Sequence, residues 1–259
     1  MFRFLLTPRW IALTIACIFI IPSFQALAEW QWRRLDQRHE YNQAIQAQIS
    51  KDPIAISELI QIDTDPLLLT EQSTWRTVEL TGTWDTQAQV LVRKQSLESN
   101  SGLWVITPLL LTDGTIVMVN RGWTPSANSA TESPVLAALP TGVIEVLGRV
   151  RAVTPRTKPA PTDLPLGQVD RIIPLEIVES ESTISNSYVE MTASRPESRS
   201  AEIRELPAPE VTEGNHRSYA IQWIFFEFLT VIGWLVLVRN EVIEQRKNNQ
   251  ASKEVASTN

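Results

Sequence analysis

Two apolar stretches near the ends of the chain constrain it more than any other feature. The first runs from Trp10 to Ala28 and the second from Tyr219 to Val238. A bilayer core of ~30 Å needs about 20 such residues in a helix, so each stretch has the length of a span. The second is apolar on every face apart from Glu227, and a half-buried core helix would show one polar face instead. For the first, two readings stand. Arg3, Arg9 and the Ala26-Leu27-Ala28 ending suit a cleaved leader, whereas the run is longer than the roughly 7–15 residues of a leader's apolar region. Cys17 is the single cysteine and reads as a small lipid-facing residue.

The charges around these stretches predict an orientation. Arg239, Arg246, Lys247 and Lys253 follow the second span, so its far end is expected in the cytoplasm. With two spans the N-terminus is then cytoplasmic as well, in keeping with Arg3 and Arg9. Arg33, Arg34 and Arg38 oppose this, but they open a long loop, and long loops translocate largely regardless of charge. The expectation is a bacterial plasma membrane protein with both termini cytoplasmic and its main domain outside. The segments run 1–9 cytoplasmic, 10–28 first span, 29–60 helical stalk, 61–193 β-rich domain, 194–218 tether, 219–238 second span and 239–259 cytoplasmic tail.

The middle of the chain changes period. Strands are predicted at 75–81, 90–93, 104–107, 116–119 and 143–153, where apolar residues alternate. Further strands are expected at 172–178 and 188–191. Asp113-Gly114 between two apolar runs signals a hairpin. Segments 126–141 and 155–167 read as loops, the second for its four prolines. The fold class expected is a membrane protein of α+β type, with two transmembrane helices flanking an extracytoplasmic antiparallel domain, barrel-like or sandwich.

Composition excludes several functions. One cysteine allows no internal disulfide and no CxxC site, and the net charge of −6 disfavours nucleic acid as a partner. His39 and His216 are the only histidines, and neither lies in a nucleophile-elbow pattern. No phosphate-binding or dinucleotide motif is present, so nothing points to an enzyme.

The informative cluster is the second span. His216, Ala220, Trp223, Glu227, Thr230 and Trp234 share one helical face. Glu227 within the bilayer costs about 2.5–3.5 kcal/mol if charged, so it must face protein, pair or hold a proton. Contact with another membrane protein or a cofactor is one reading, and a bond across the two spans is the other. The His216 imidazole at the outer mouth is either a solvated interface residue or an axial iron ligand beside an aromatic wall. His39, ~16 Å beyond the first span on a continuing helix, reads as a surface residue.

Several motifs resemble the Surfeit locus protein one family. They are Trp30-Gln31-Trp32-Arg33-Arg34-Leu35, Gly82-Thr83-Trp84, Arg93, Gly102 through Leu109, Asn120-Arg121-Gly122-Trp123-Thr124-Pro125, and His216 through Trp223. The resemblance implies a cytochrome c oxidase assembly factor that hands haem a to the core subunit. It implies His216 as the haem iron ligand and retention of the first span. Tyr219 and Trp223 are then expected against the macrocycle. Glu227 and Thr230 are expected to dock partners, namely the oxidase core subunit or haem a synthase. Arg121 has two readings, a haem propionate contact or an internal salt bridge. Gly82 and Gly122 read as points of backbone freedom, and Trp84, Trp104 and Trp123 as core. A haem-independent scaffold and a doubly anchored envelope binding module remain as alternatives.

Overall fold

The structure is a computed structural model that describes residues 3–62, 73–127, 132–184 and 187–257. Residues 63–72, at the start of the expected β-rich domain, and 128–131, within the loop expected at 126–141, lie outside the described residues. Contacts divide the chain into two units. One comprises 1–43 with 211–259, and the other 44–210.

The first unit is helical. Helix α1 spans Pro8–Ile49 and α4 spans His216–Ser257, 42 residues each. At 1.5 Å per residue each is about 63 Å long, twice a bilayer core. Both are long and apolar enough to cross a membrane. The expected first span and most of the stalk are therefore one helix, as are the second span and its tail. Pro22 lies inside α1, where Ser23 Oγ donates to the Phe19 carbonyl in the same turn (2.8 Å). The stalk ends at Ile49, short of the expected residue 60, because Pro53 lacks an N–H and restricts the residue before it.

The second unit is a sheet built on short-period sequence. Its elements are β1 (Ile54–Ala55), α2 (Ile56–Ile62), β2 (Thr77–Trp84), β3 (Val90–Leu97), β4 (Asn100–Leu111), β5 (Ile116–Pro125), β6 (Ile144–Ala152), β7 (Gln168–Val169), α3 (Pro174–Ile177) and β8 (Ser187–Arg195). The order is β1-β2-β6-β8-β5-β4-β3-β7, and β2 also pairs with β4, so the pairing runs back on itself. The sheet is mixed, which corrects the antiparallel expectation. Strands β5 and β8 run parallel, as do β1 with β2 and β3 with β7.

Alternation places the core. In β2, Val78 and Leu80 point inward and Glu79 and Thr81 outward. Strand β5 buries both faces. Val117 and Val119 pack with Val78, Leu109, Ile144 and Val189, while Met118 packs with Ile106, Ile172 and Tyr188. The Asp113-Gly114 turn forms as expected. Gly114 has φ +89°, and Asp113 Oδ1 accepts from the Thr115 N–H at 2.9 Å.

Two expectations need correction here. The segment 172–178 is no strand; Pro174 opens the single-turn helix α3 instead. The expected tether 194–218 belongs in its first half to the sheet. Strand β8 runs to Arg195, and Arg204 and Trp123 exchange backbone hydrogen bonds of 2.8 and 2.7 Å. Leu206 is buried, and Arg149 donates to the carbonyls of Leu206 and Pro207.

Candidate functional site at the helix pair

Three contacts set the register of α4 against α1. Trp234 Nε1 donates to Thr14 Oγ1 at 3.2 Å. Trp223 stacks on Phe24, with ring centroids 5.7 Å apart at 27°. His216 Nδ1 lies 2.8 Å from Gln31 Oε1. Seven residues outward on α1 (24 to 31) match seven backward on α4 (223 to 216), so the helices are antiparallel and in step. The next pair outward is His39 Nε2 with Glu213 Oε1 at 2.8 Å, and Asn42 Nδ2 then donates to the Thr212 carbonyl at 3.1 Å.

The face of α4 carrying His216, Trp223 and Trp234 is thus turned to α1, and Ala220 on it is fully buried. Such close approach is what a small residue at a helix crossing permits. Glu227 and Thr230 are half-buried on this face. The Thr230 hydroxyl donates to the Phe226 carbonyl of its own helix at 2.8 Å. Glu227 makes no hydrogen bond to any described residue. Phe225, Phe228, Ile232 and Leu235 are exposed on the rest of the helix, as side chains facing lipid would be.

His216 occupies the first turn of α4. Gly214 precedes it at φ +66°, and Asn215 accepts from the Tyr219 N–H at 3.1 Å, which starts the helix. With Gln31 Oε1 as the acceptor of this contact, the imidazole proton lies on Nδ1. Nε2 then carries a lone pair, and no described residue bonds it. Tyr219, one turn on, is about half exposed. Trp223 is half-buried, with one face on Phe24 and an edge contact to Phe226 at 5.9 Å. An imidazole with a free Nε2 beside aromatic surface fits an axial iron ligand. Gln31 was not singled out from the sequence as a site residue; its signal was its place in the Trp30-Gln31-Trp32 motif.

Arg121, read from the sequence as either a propionate contact or an internal salt bridge, belongs to the sheet unit. The side chain is 1% exposed. Its Nε and Nη2 donate to the Ser198 carbonyl, and Nη1 to Gln89 Oε1 at 3.1 Å. Burial and the neighbouring Arg199 push it down to about 10, which still leaves it cationic at neutral pH. It is an internal anchor, and it holds a carbonyl and an amide where a salt bridge was expected. The glycines divide. Gly122 has φ +135°, as expected of a freedom point. Gly82 has ordinary backbone, but a Cβ there would meet the Leu110 carbonyl oxygen at 2.2 Å, so space is its requirement. Trp123 is 2% exposed and Trp84 and Trp104 pack against core clusters, in line with the sequence reading.

A mixed sheet inserted between two membrane-length helices, with a histidine in the first turn of the second, defines the class of protein. Residues 18–228 match the sequence profile of the SURF1 family. The chain belongs to the SURF1 family. It is 26% identical to SURF1-like proteins of Mycobacterium bovis and Mycobacterium tuberculosis over 96% of this chain and 90% of theirs. A SURF1-like protein of Dictyostelium discoideum is 31% identical over 116 residues, 43% of each chain.

Proposed function

We propose that this chain is a non-enzymatic assembly factor for cytochrome c oxidase, which binds haem a and aids its insertion into the core subunit. The observation that carries the reading is the His216 imidazole, held at Nδ1 by Gln31, with Nε2 unbonded among the described residues. His216 would hold the iron at the outer face of the membrane, with Tyr219 and the open side of Trp223 as the apolar wall for the macrocycle. Bound haem a would supply a ligand-exchangeable iron; the protein contributes position and an apolar wall.

The chain sits in a bacterial plasma membrane, with α1 and α4 crossing it and both termini cytoplasmic. The sheet unit is then extracytoplasmic, and its returning pairing supports a barrel-like reading. Glu227 lies within the bilayer without a hydrogen-bond partner among the described residues. With Thr230 it docks the oxidase core subunit or haem a synthase, and a partner's donor lowers the cost of its burial. The internal role of Arg121 favours a second reading, a scaffold that stabilises the core subunit without touching haem.

The oxidase of a strain lacking this protein tests the first reading. We expect the core subunit to be present with its haem a content reduced. Normal haem a per core subunit, with only subunit abundance lowered, would favour the scaffold.

A further inference from the structure

Gln31 is 8% exposed, between the buried Ala28 and Leu35 on the same face of α1. A buried amide needs partners, because its desolvation goes uncompensated otherwise. The partner of Oε1 is the Nδ1 of His216 at 2.8 Å. Histidine in water favours the opposite tautomer, with the proton on Nε2, and that tautomer cannot ligate iron through Nε2. The packing of Phe24 on Trp223, two turns inward, fixes the axial height at which the amide meets the ring. Histidines that bind metals are held in this way by an acceptor on the second ring nitrogen, which sets both tautomer and ring plane.

We infer that Gln31 is the positioning residue for His216: its Oε1 accepts from Nδ1–H and thereby presents the Nε2 lone pair for coordination. This inference rests on the proposed haem ligation, yet it makes a claim about the haem-free protein that stands separately. The two orientations of the amide have opposite consequences. An amide turned the other way would donate to Nδ1, move the proton to Nε2 and disable the ligand. The first helix therefore takes part in the site through one side chain, at the point where the chain leaves its apolar stretch.

The test uses the full-length protein in detergent with ¹⁵N-labelled histidine, free of haem, at a pH where the ring is neutral. Two histidines are present, and His39→Gln leaves one set of ring signals. We expect His216 to show a protonated Nδ1 and an unprotonated Nε2. Gln31→Leu should shift the proton to Nε2, and Gln31→Glu, which keeps the acceptor, should restore it to Nδ1. Protein co-produced with haem a should lose about 10- to 100-fold in haem affinity in Gln31→Leu. Gln31→Glu should recover most of that loss. A protonated Nε2 in the parent protein, or identical signals in Gln31→Leu, would overturn the inference. Because those signals are read without haem, their failure is separate from a failure of haem ligation. Ligation is judged by His216→Ala alone.

Discussion

At the scale of single residues, buried charge separates the legible from the illegible. Glu190 is 4% exposed, with Arg151 at 2.8 Å and Arg149 at 3.7 Å. Burial pushes its carboxyl up, and the two arginines oppose that shift. The folded protein therefore takes a proton before the unfolded chain does as pH falls. The stability this contributes is fully present below the unfolded value and fades as pH rises through the folded one. In Glu190→Gln the group no longer titrates. Thermal unfolding followed from about pH 4 to 7 should show the variant gaining on the parent as pH rises; a constant difference would contradict the assignment. None of this was visible in the sequence, because Arg149, Arg151 and Glu190 come together only where β6 pairs with β8. The same holds for Arg121. Its motif drew notice, but its partner Ser198 lies 77 positions away in a segment read as a tether.

At the scale of elements, turn chemistry explains what could be read. Asp113-Gly114 announced its hairpin because an αL glycine beside an aspartate is a recognisable signal. The β3–β4 hairpin was missed. Its two loop residues, Glu98 and Ser99, both have positive φ (50° and 67°), a primed turn made without glycine or asparagine at the tip. Each such non-glycine residue costs about 1–2 kcal/mol. Glu98→Asn with Ser99→Gly should thus raise stability by about 1–2 kcal/mol, read as a higher unfolding midpoint. The exposed Glu98–Arg204 pair at 3.5 Å that is lost should offset little. An unchanged or lower midpoint would show that the turn is not strained. The two long helices were legible from hydropathy alone. Their register was not, since it depends on Phe24 meeting Trp223 and Thr14 meeting Trp234.

At the scale of the whole molecule, the order of elements carries the functional reading. The sheet unit is an insertion between two helices that pair antiparallel, so its two connections leave the pair at the same end. If that end is extracytoplasmic, a reporter active only outside the cytoplasm should work when inserted within residues 133–140 and fail when fused after Asn259. The opposite pattern would place His216 at the inner face. The family was legible from short motifs, and the helix pair with its exposed apolar flanks followed from hydropathy. The closing β2–β4 contact and the parallel β5–β8 pair were not, because long-range pairing leaves no local trace. At the helix pair, the His216 imidazole meets Gln31 at Nδ1, and no described residue bonds its Nε2. The most direct measurement is the absorption spectrum of protein purified with co-produced haem a, compared with that of His216→Ala. The account predicts a haem-bound parent and a variant that has lost its haem or its axial ligand signature; equal haem content with unchanged spectra would contradict it.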